Sequence, residues 1–280
     1  MVTVTDKKIN MHPALKGKLD LMIHRMDERG FDNFLIVDGK EGFGKTTFAT
    51  QVCYYVSQES KRSFSVDNIY FRVEQMLEDM KKERAKIFLL DEAELDLLSE
   101  TRGKMQRYFI QMLMAARKKN HFIVAIIPAV KKLKSYVIER AIGLVRVYSP
   151  DGIKRGFYAY YKEESKNAMY ENWMRSRKMD YKKYYTFNGT FNKEFSSIID
   201  EELYDKKKDE AIASIGEEEK ESQTTKKWNI MRYKIYRAII DKKINVTIKD
   251  MSKAIGITGA TMSDWRFLID KHPYIKETLE

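Results

Sequence analysis

A single cysteine, Cys53, rules out an intrachain disulfide and makes a reducing compartment the expected setting. It lies in a helical apolar pattern and reads as a buried filler. Only 4 prolines interrupt 280 residues, which with 33% charged residues favours a helix-rich soluble protein. No apolar run approaches the roughly 18 residues of a membrane helix, so no span is expected. The opening Met1-Val2-Thr3-Val4-Thr5-Asp6 lacks the basic-then-apolar profile of a secretion signal, and a cytoplasmic location is expected. His12, His24, His121 and His272 are too scattered to suggest a zinc site. Neither G-x-S-x-G nor H-E-x-x-H occurs, and there is no internal repeat.

What is present begins with charge. The 52 Lys/Arg against 41 Asp/Glu leave a net +11, which points to a polyanionic partner, nucleic acid first. Many basic proteins bind no DNA, so charge by itself decides nothing. The 43% of apolar residues is enough for a substantial core.

Gly39-Lys40-Glu41-Gly42-Phe43-Gly44-Lys45-Thr46 spells G-x-x-x-x-G-K-[ST] and is followed by Thr47. The apolar run Phe34-Leu35-Ile36-Val37 precedes it, and helical spacing of Phe48, Ala49, Val52, Tyr55 and Val56 follows. Strand, glycine-rich turn and helix are what a phosphate-binding loop requires. Glycines allow the sharp turn that aims backbone N–H groups at phosphate, and the helix N-terminus adds its positive dipole end. Residues 39–47 are therefore the candidate nucleotide-binding set. Lys45 is placed to reach the β- and γ-phosphates and Thr46 to hold Mg²⁺. The competing explanation is a glycine turn with a chance Lys-Thr.

Lys86-Ile87-Phe88-Leu89-Leu90-Asp91-Glu92 reads as a buried parallel strand ending in two carboxylates. Asp91 is expected to hold Mg²⁺ beside the loop, and Glu92 to orient and deprotonate an attacking water. The competing explanation is that Glu92 merely starts a polar helix, Glu92-Ala93-Glu94, since acids favour helix starts. No Asn-Lys-x-Asp guanine reader is seen. Small-molecule kinases share the loop but seldom carry Asp-Glu at this strand end.

Strands alternate with helices through residues 1–164, predicting an α/β domain with a mainly parallel sheet and an antiparallel edge. Helices are expected around Leu15–Met26, after the loop, over Val73–Arg84 and over Glu100–Asn120. A short strand and turn are expected at Phe64–Phe71, and strands at His121–Ile127, Leu144–Tyr148 and Arg155–Tyr161. Residues 165–225 read as a helical, charged connecting region. There Tyr181-Lys182-Lys183-Tyr184-Tyr185 either packs at a domain edge or stacks on bases.

Residues 226–280 regain pattern and predict a small all-α domain. The stretch Thr247 to Trp265 reads as helix, tight turn at Gly256, capping Thr258 and second helix. Ser252, Ile255, Ile257, Met262 and Trp265 are the expected packing residues. The pattern resembles the helix-turn-helix of DNA-binding regulators, whose second helix enters the major groove. Thr258, Gly259, Ala260, Thr261, Ser263 and Arg266 are then the candidate DNA contacts. Arg266 suits the phosphate backbone better than a base edge, as does nearby Lys271. The segment holds 12 Lys/Arg against 6 Asp/Glu, which favours a phosphate-facing surface, whereas Asp264 on that face counts against one. A helical protein-binding domain is the other reading.

The phosphate loop, Leu90-Asp91-Glu92-Ala93, Ala116-Arg117-Lys118-Lys119 and Phe122 to Ile127 together resemble the HerA/FtsK superfamily of DNA-pumping ATPases. That group includes conjugative coupling proteins, Zot-like phage proteins and viral packaging ATPases. The resemblance covers residues 30–162 and is specific at the two nucleotide motifs. It implies a RecA-like P-loop NTPase fold, ATP and Mg²⁺ as cofactors, duplex DNA as partner and assembly into a ring, usually hexameric. It also implies a virus, phage or plasmid protein, in a bacterial or archaeal cell or a virus-infected host. An arginine supplied by the adjacent subunit is implied as well, for which Arg117 and Arg140 are candidates, with Arg102 behind them. The chain departs from the pattern at Ile127-Pro128, where members usually carry a polar γ-phosphate sensor. That departure leaves open an initiator or loader of the AAA+ type, or an ATP-gated DNA-binding regulator.

Overall fold

The computed structural model describes residues 9, 11–91, 110, 111, 113, 114, 119–192, 195, 197–215, 223–241, 244–272 and 275. The chain divides into two compact units, Met1–Ala211 and Ile212–Glu280.

In the first unit, helix α1 (Pro13–Arg29) opens with Pro13 at its first turn, and the His12 side chain accepts from Ala14 N–H at 3.2 Å. It stops at Gly30, whose φ of 64° is the left-handed conformation of a helix C-cap. Then come β1 (Asn33–Asp38), α2 (Lys45–Ser60), β2 (Ile69–Tyr70), α3 (Val73–Lys82) and β3 (Ile87–Leu90). They are followed by β4 (Phe122–Ile127), α4 (Ser135–Arg140), β5 (Gly143–Tyr148) and β6 (Phe157–Lys162). Last are α5 (Glu163–Ser176), α6 (Tyr181–Tyr184), β7 (Phe187–Thr190) and α7 (Glu201–Ile215), which crosses the boundary after Ala211.

The seven strands form one sheet in the order β2-β3-β4-β1-β5-β6-β7. Strands β2, β3, β4, β1 and β5 are parallel to their neighbours, and β6 and β7 are added antiparallel. Because side chains alternate along a strand, each central strand feeds two cores. Phe34, Ile36, Phe88, Leu90, Ile123 and Ala125 face one side, with α3, α4 and α5. Leu35, Val37, Ile87, Leu89, Val124 and Ile126 face the other, with α1 and α2. Full burial of each such side chain stabilises the sheet by about 1.5–3 kcal/mol. Both faces being covered explains why these strands read as continuous apolar runs. This is an α/β fold, with the loop after central β1 set among parallel strand ends as in RecA-like P-loop NTPases.

The expected elements correspond closely, with differences that have local causes. The stretch Phe64–Phe71 is a short 3₁₀ turn at Val66–Asn68 followed by a two-residue strand, because Ser65 and Asn68 cap that turn reciprocally. The long helix expected over Glu100–Asn120 falls largely outside the described residues. Residues taken from sequence as a connecting stretch include β7, which pairs with β6. They also include α5, whose Met169 and Tyr170 are buried.

The second unit, considered by itself, is helical. It contains α8 (Gln223–Ile240), α9 (Ile248–Ala254), α10 (Gly259–Ser263), a 3₁₀ turn at Asp264–Phe267 and α11 (Leu268–Lys271). Thr247 caps α9 by accepting from Asp250 N–H at 3.1 Å, and Thr258 caps α10 by accepting from Thr261 N–H at 3.1 Å. Between them Gly256 turns with φ 72°. Ser252 and Met262 are buried where these helices meet, but Ile255 is 47% exposed. It follows the last turn of α9, so it points away from the contact that its apolar character predicted.

Candidate functional site

The loop after β1 is built around tight backbone approaches. Gly39, at φ 148°, lies so close to β5 that a Cβ there would sit 2.2 Å from the Val147 carbonyl oxygen. Gly44 adopts φ 93° as the residue before α2, and a Cβ would lie 3.4 Å from the Phe191 ring. Only glycine meets both demands. Lys40, Glu41 and Gly42 are exposed, while Phe43, Gly44, Lys45, Thr46 and Thr47 are half-buried. Lys45 Nζ donates to the Gly39 carbonyl at 2.9 Å, folding its side chain back across the loop.

At the end of β3, Asp91 is 1% exposed, and its N–H donates to the Tyr70 carbonyl at 2.7 Å. The Thr46 hydroxyl donates to Asp91 Oδ1 at 3.3 Å. This joins the first turn of α2 to a strand end 45 residues later. The Tyr204 hydroxyl, from α7, donates to Asp91 Oδ2 at 2.6 Å. Tyr204 is held there between the Phe71 and Phe195 rings, with centroids 5.5 and 5.1 Å away. A hydroxyl beside a buried carboxylate is the hard-oxygen donor set that suits Mg²⁺. Such a pair beside an amide-lined loop can hold a phosphate chain and its counter-cation.

A second buried carboxylate stands directly under the loop. Asp38, at the end of β1, has no exposed surface. It accepts from Arg146 Nη1 at 3.2 Å, from Val130 N–H at 3.2 Å and from the Tyr181 hydroxyl at 3.0 Å. Burial raises its pKa above the ordinary carboxylate value, and the Arg146 charge and these donors work against the rise. Asp38 is in register with Ile127, which is buried and apolar.

Of the other candidates, Glu92, Arg102 and Arg117 lie outside the described residues. Arg140 ends α4 and pairs with Asp32, just before β1. That end of β1 is about 20 Å from the loop, from the strand rise per residue. Arg140 therefore does not reach its own chain's loop, and acting on a neighbour's would mean leaving Asp32. In the second unit Thr258, Ala260, Thr261 and Arg266 are exposed, and Gly259 and Ser263 are half-buried. The Arg266 guanidinium lies 4.3 Å from the Phe267 ring centre, which holds it along the surface.

Sequence reasoning did not find Tyr204, Asp38 or Arg146. Tyr204 sits in a run of charges with no motif around it. Asp38 gave one signal, as a lone acid ending an otherwise apolar strand.

No protein-family model matches this chain, and no curated protein matches it. Among solved structures it is similar to the DNA-packaging ATPase B204 from Sulfolobus Turreted Icosahedral Virus. Identity there is 14%, over 48% of this chain and 94% of that one, with a TM-score of 0.37. A KaiC-like protein from Pyrococcus horikoshii is 15% identical over 46% of this chain and 78% of its own, with a TM-score of 0.35. The FIGL-1 AAA domain in complex with ADP is 16% identical over 51% of this chain and 55% of its own, with a TM-score of 0.36.

Proposed function

We propose that this chain hydrolyses ATP with Mg²⁺ and uses the turnover to move or remodel DNA, as a motor of a virus, phage or plasmid. The observation that carries the reading is the contact between Thr46 and Asp91 beside a loop shaped by Gly39 and Gly44. Loop amides and Lys45 would bind the phosphates, Lys45 leaving the Gly39 carbonyl for the β- and γ-phosphates. Thr46 and Asp91 would hold the Mg²⁺, which neutralises charge on the phosphates. Glu92, next after Asp91, would orient the attacking water and take its proton. Arg117 or Arg140 of a neighbouring copy in a ring would steady the charge that develops in the transition state.

DNA enters the reading through the second unit. The capped helix pair, the turn at Gly256 and the exposed Thr258, Ala260, Thr261 and Arg266 are a surface that suits a DNA groove. A second reading, an initiator or an ATP-gated regulator on DNA, is favoured by one feature. Ile127, where a polar sensor is expected, is buried and apolar.

The test is ATP turnover as a function of DNA length and sequence, with Lys45→Ala as the control. A motor predicts turnover that rises with DNA length whatever the sequence, and an initiator or regulator predicts response to one site. If Lys45→Ala binds ATP as tightly as the parent, the phosphate loop has no such role and both readings fail.

A further inference from the structure

The run Tyr181-Lys182-Lys183-Tyr184-Tyr185 forms part of the wall of a cavity of about 730 Å³ on the sheet face opposite α2. The floor is a row across antiparallel strands: Arg146 on β5 is opposite Ala159 on β6, and Ala159 is opposite Asn188 on β7. The small Ala159 leaves the hollow, and Tyr148 and Tyr161 flank it.

Arg146 is fixed in place before any ligand arrives. Its guanidinium lies 3.6 Å from the Tyr181 ring centre, and Nη1 is bound by both Asp38 oxygens at 3.2 Å. The rest of its donor fork makes no hydrogen bond among the described residues. Lys178 and Lys182 also line the cavity and join no ion pair among the described residues. Asp180, the one acid among the described lining residues, is engaged in capping α6, accepting from the Lys182 and Lys183 N–H groups at 3.1 Å.

A purely apolar occupant would leave Lys178, Lys182 and the remaining donors of the Arg146 fork unanswered, and a simple anion would leave the tyrosine faces bare. A ring joined to a phosphate answers both. We propose that this cavity binds a nucleotide unit, its base against the tyrosines and its phosphate against Arg146, Lys178 and Lys182. It is a site separate from the phosphate loop. Every base has a π-face that an aromatic side chain can stack on, and the guanidinium fork matches phosphate. The volume lies within the roughly 300–1,000 Å³ of small-molecule sites. The unit can come from single-stranded nucleic acid or from a free mononucleotide.

The cavity also touches the loop's foundation, because Asp38, held by Arg146, directly precedes Gly39. An occupant that pulls on Arg146 acts on the first residue of the loop. That coupling, unlike the site itself, rests on the loop being a triphosphate cradle.

The test uses the full chain with Lys45→Ala, so that the phosphate loop is disabled. An oligothymidylate carrying 5-iododeoxyuridine is photo-crosslinked to it, and the modified peptides are mapped. Crosslinks are expected at Tyr148, Tyr181 or Tyr185, with binding weakened about tenfold by Tyr185→Ala or Lys182→Glu. Displacement of the oligonucleotide by thymidine monophosphate would identify the free nucleotide as occupant, and resistance would identify the strand. Crosslinks confined to other regions, variants that bind like the parent, or capture of neither probe would overturn the site. Failure of the phosphate-loop reading would appear elsewhere, as ATP binding that survives Lys45→Ala while the cavity variants behave as expected.

Discussion

Asp38 and Asp91 occupy equivalent places, each the last buried acid at the carboxyl end of a parallel strand, yet their neighbours assign them different work. Asp38 is charge-compensated by Arg146 and pinned by Val130 N–H and Tyr181, so it anchors the base of the loop. Asp91 receives the hydroxyls of Thr46 and Tyr204, groups that can turn aside for a cation. Position in the fold gives a carboxylate its burial, and the guanidinium beside Asp38 ties that one to bracing the loop.

The largest expected effect separates the two directly. Asp91→Asn should lower ATP turnover by about 10²–10³-fold, as loss of a transition-state electrostatic contact does elsewhere, with little change in melting temperature. Asp38→Asn should do the reverse. It leaves the half-buried Arg146 uncompensated, so the fold should lose about 3 kcal/mol while turnover per folded molecule falls only slightly. Turnover measured alongside thermal melting of both variants checks this. If Asp38→Asn abolished turnover at an unchanged melting temperature, the division of labour would be wrong.

The opposite ends of the strands give a smaller effect, visible in pH. His121, just before β4, is fully buried; its Nδ1 accepts from Lys86 N–H at 3.2 Å, and Nε2 lies 3.3 Å from the Met80 carbonyl. Burial lowers its pKa from 6.5 to about 4. The unfolded chain therefore binds a proton that the folded one refuses between these values. The stabilisation is complete above pH 6.5 and is lost as pH falls toward 4. A loss of about 1–3 kcal/mol over that window is expected in denaturant titrations, and His121→Gln should flatten it. An unchanged slope in the variant would mean that the imidazole is already charged in the fold.

How much of this was legible depended on whether the signal was local. The loop, the strands with both faces covered and the cap at Thr258 each announce themselves within a few residues. The partners of the two aspartates do not. Tyr204 meets Asp91 across 113 positions, and Tyr181 meets Asp38 across 143. Strand β7 was missed because Phe187-Asn188-Gly189-Thr190 is short, edge-placed and half exposed, with little apolar alternation. The run of tyrosines and lysines was noticed, but only the register of Arg146, Ala159 and Asn188 shows the hollow beside it.

The smallest expected effect concerns Tyr204, whose hydroxyl gives a hydrogen bond to a carboxylate oxygen beside the proposed metal site. Tyr204→Phe keeps the ring between Phe71 and Phe195 and removes only that donor. The lost bond should cost about 1–2 kcal/mol, since its acceptor is charged and buried. A hydroxyl that only braces the fold would change the melting temperature and leave the Mg²⁺ dependence of turnover alone. One that competes with the cation for Asp91 predicts a half-maximal Mg²⁺ concentration about two- to fivefold lower in the variant, from the modest net strength of one hydrogen bond. A Mg²⁺ titration of ATP turnover distinguishes them, and a higher requirement in Tyr204→Phe would show instead that the hydroxyl orients Asp91 toward the metal.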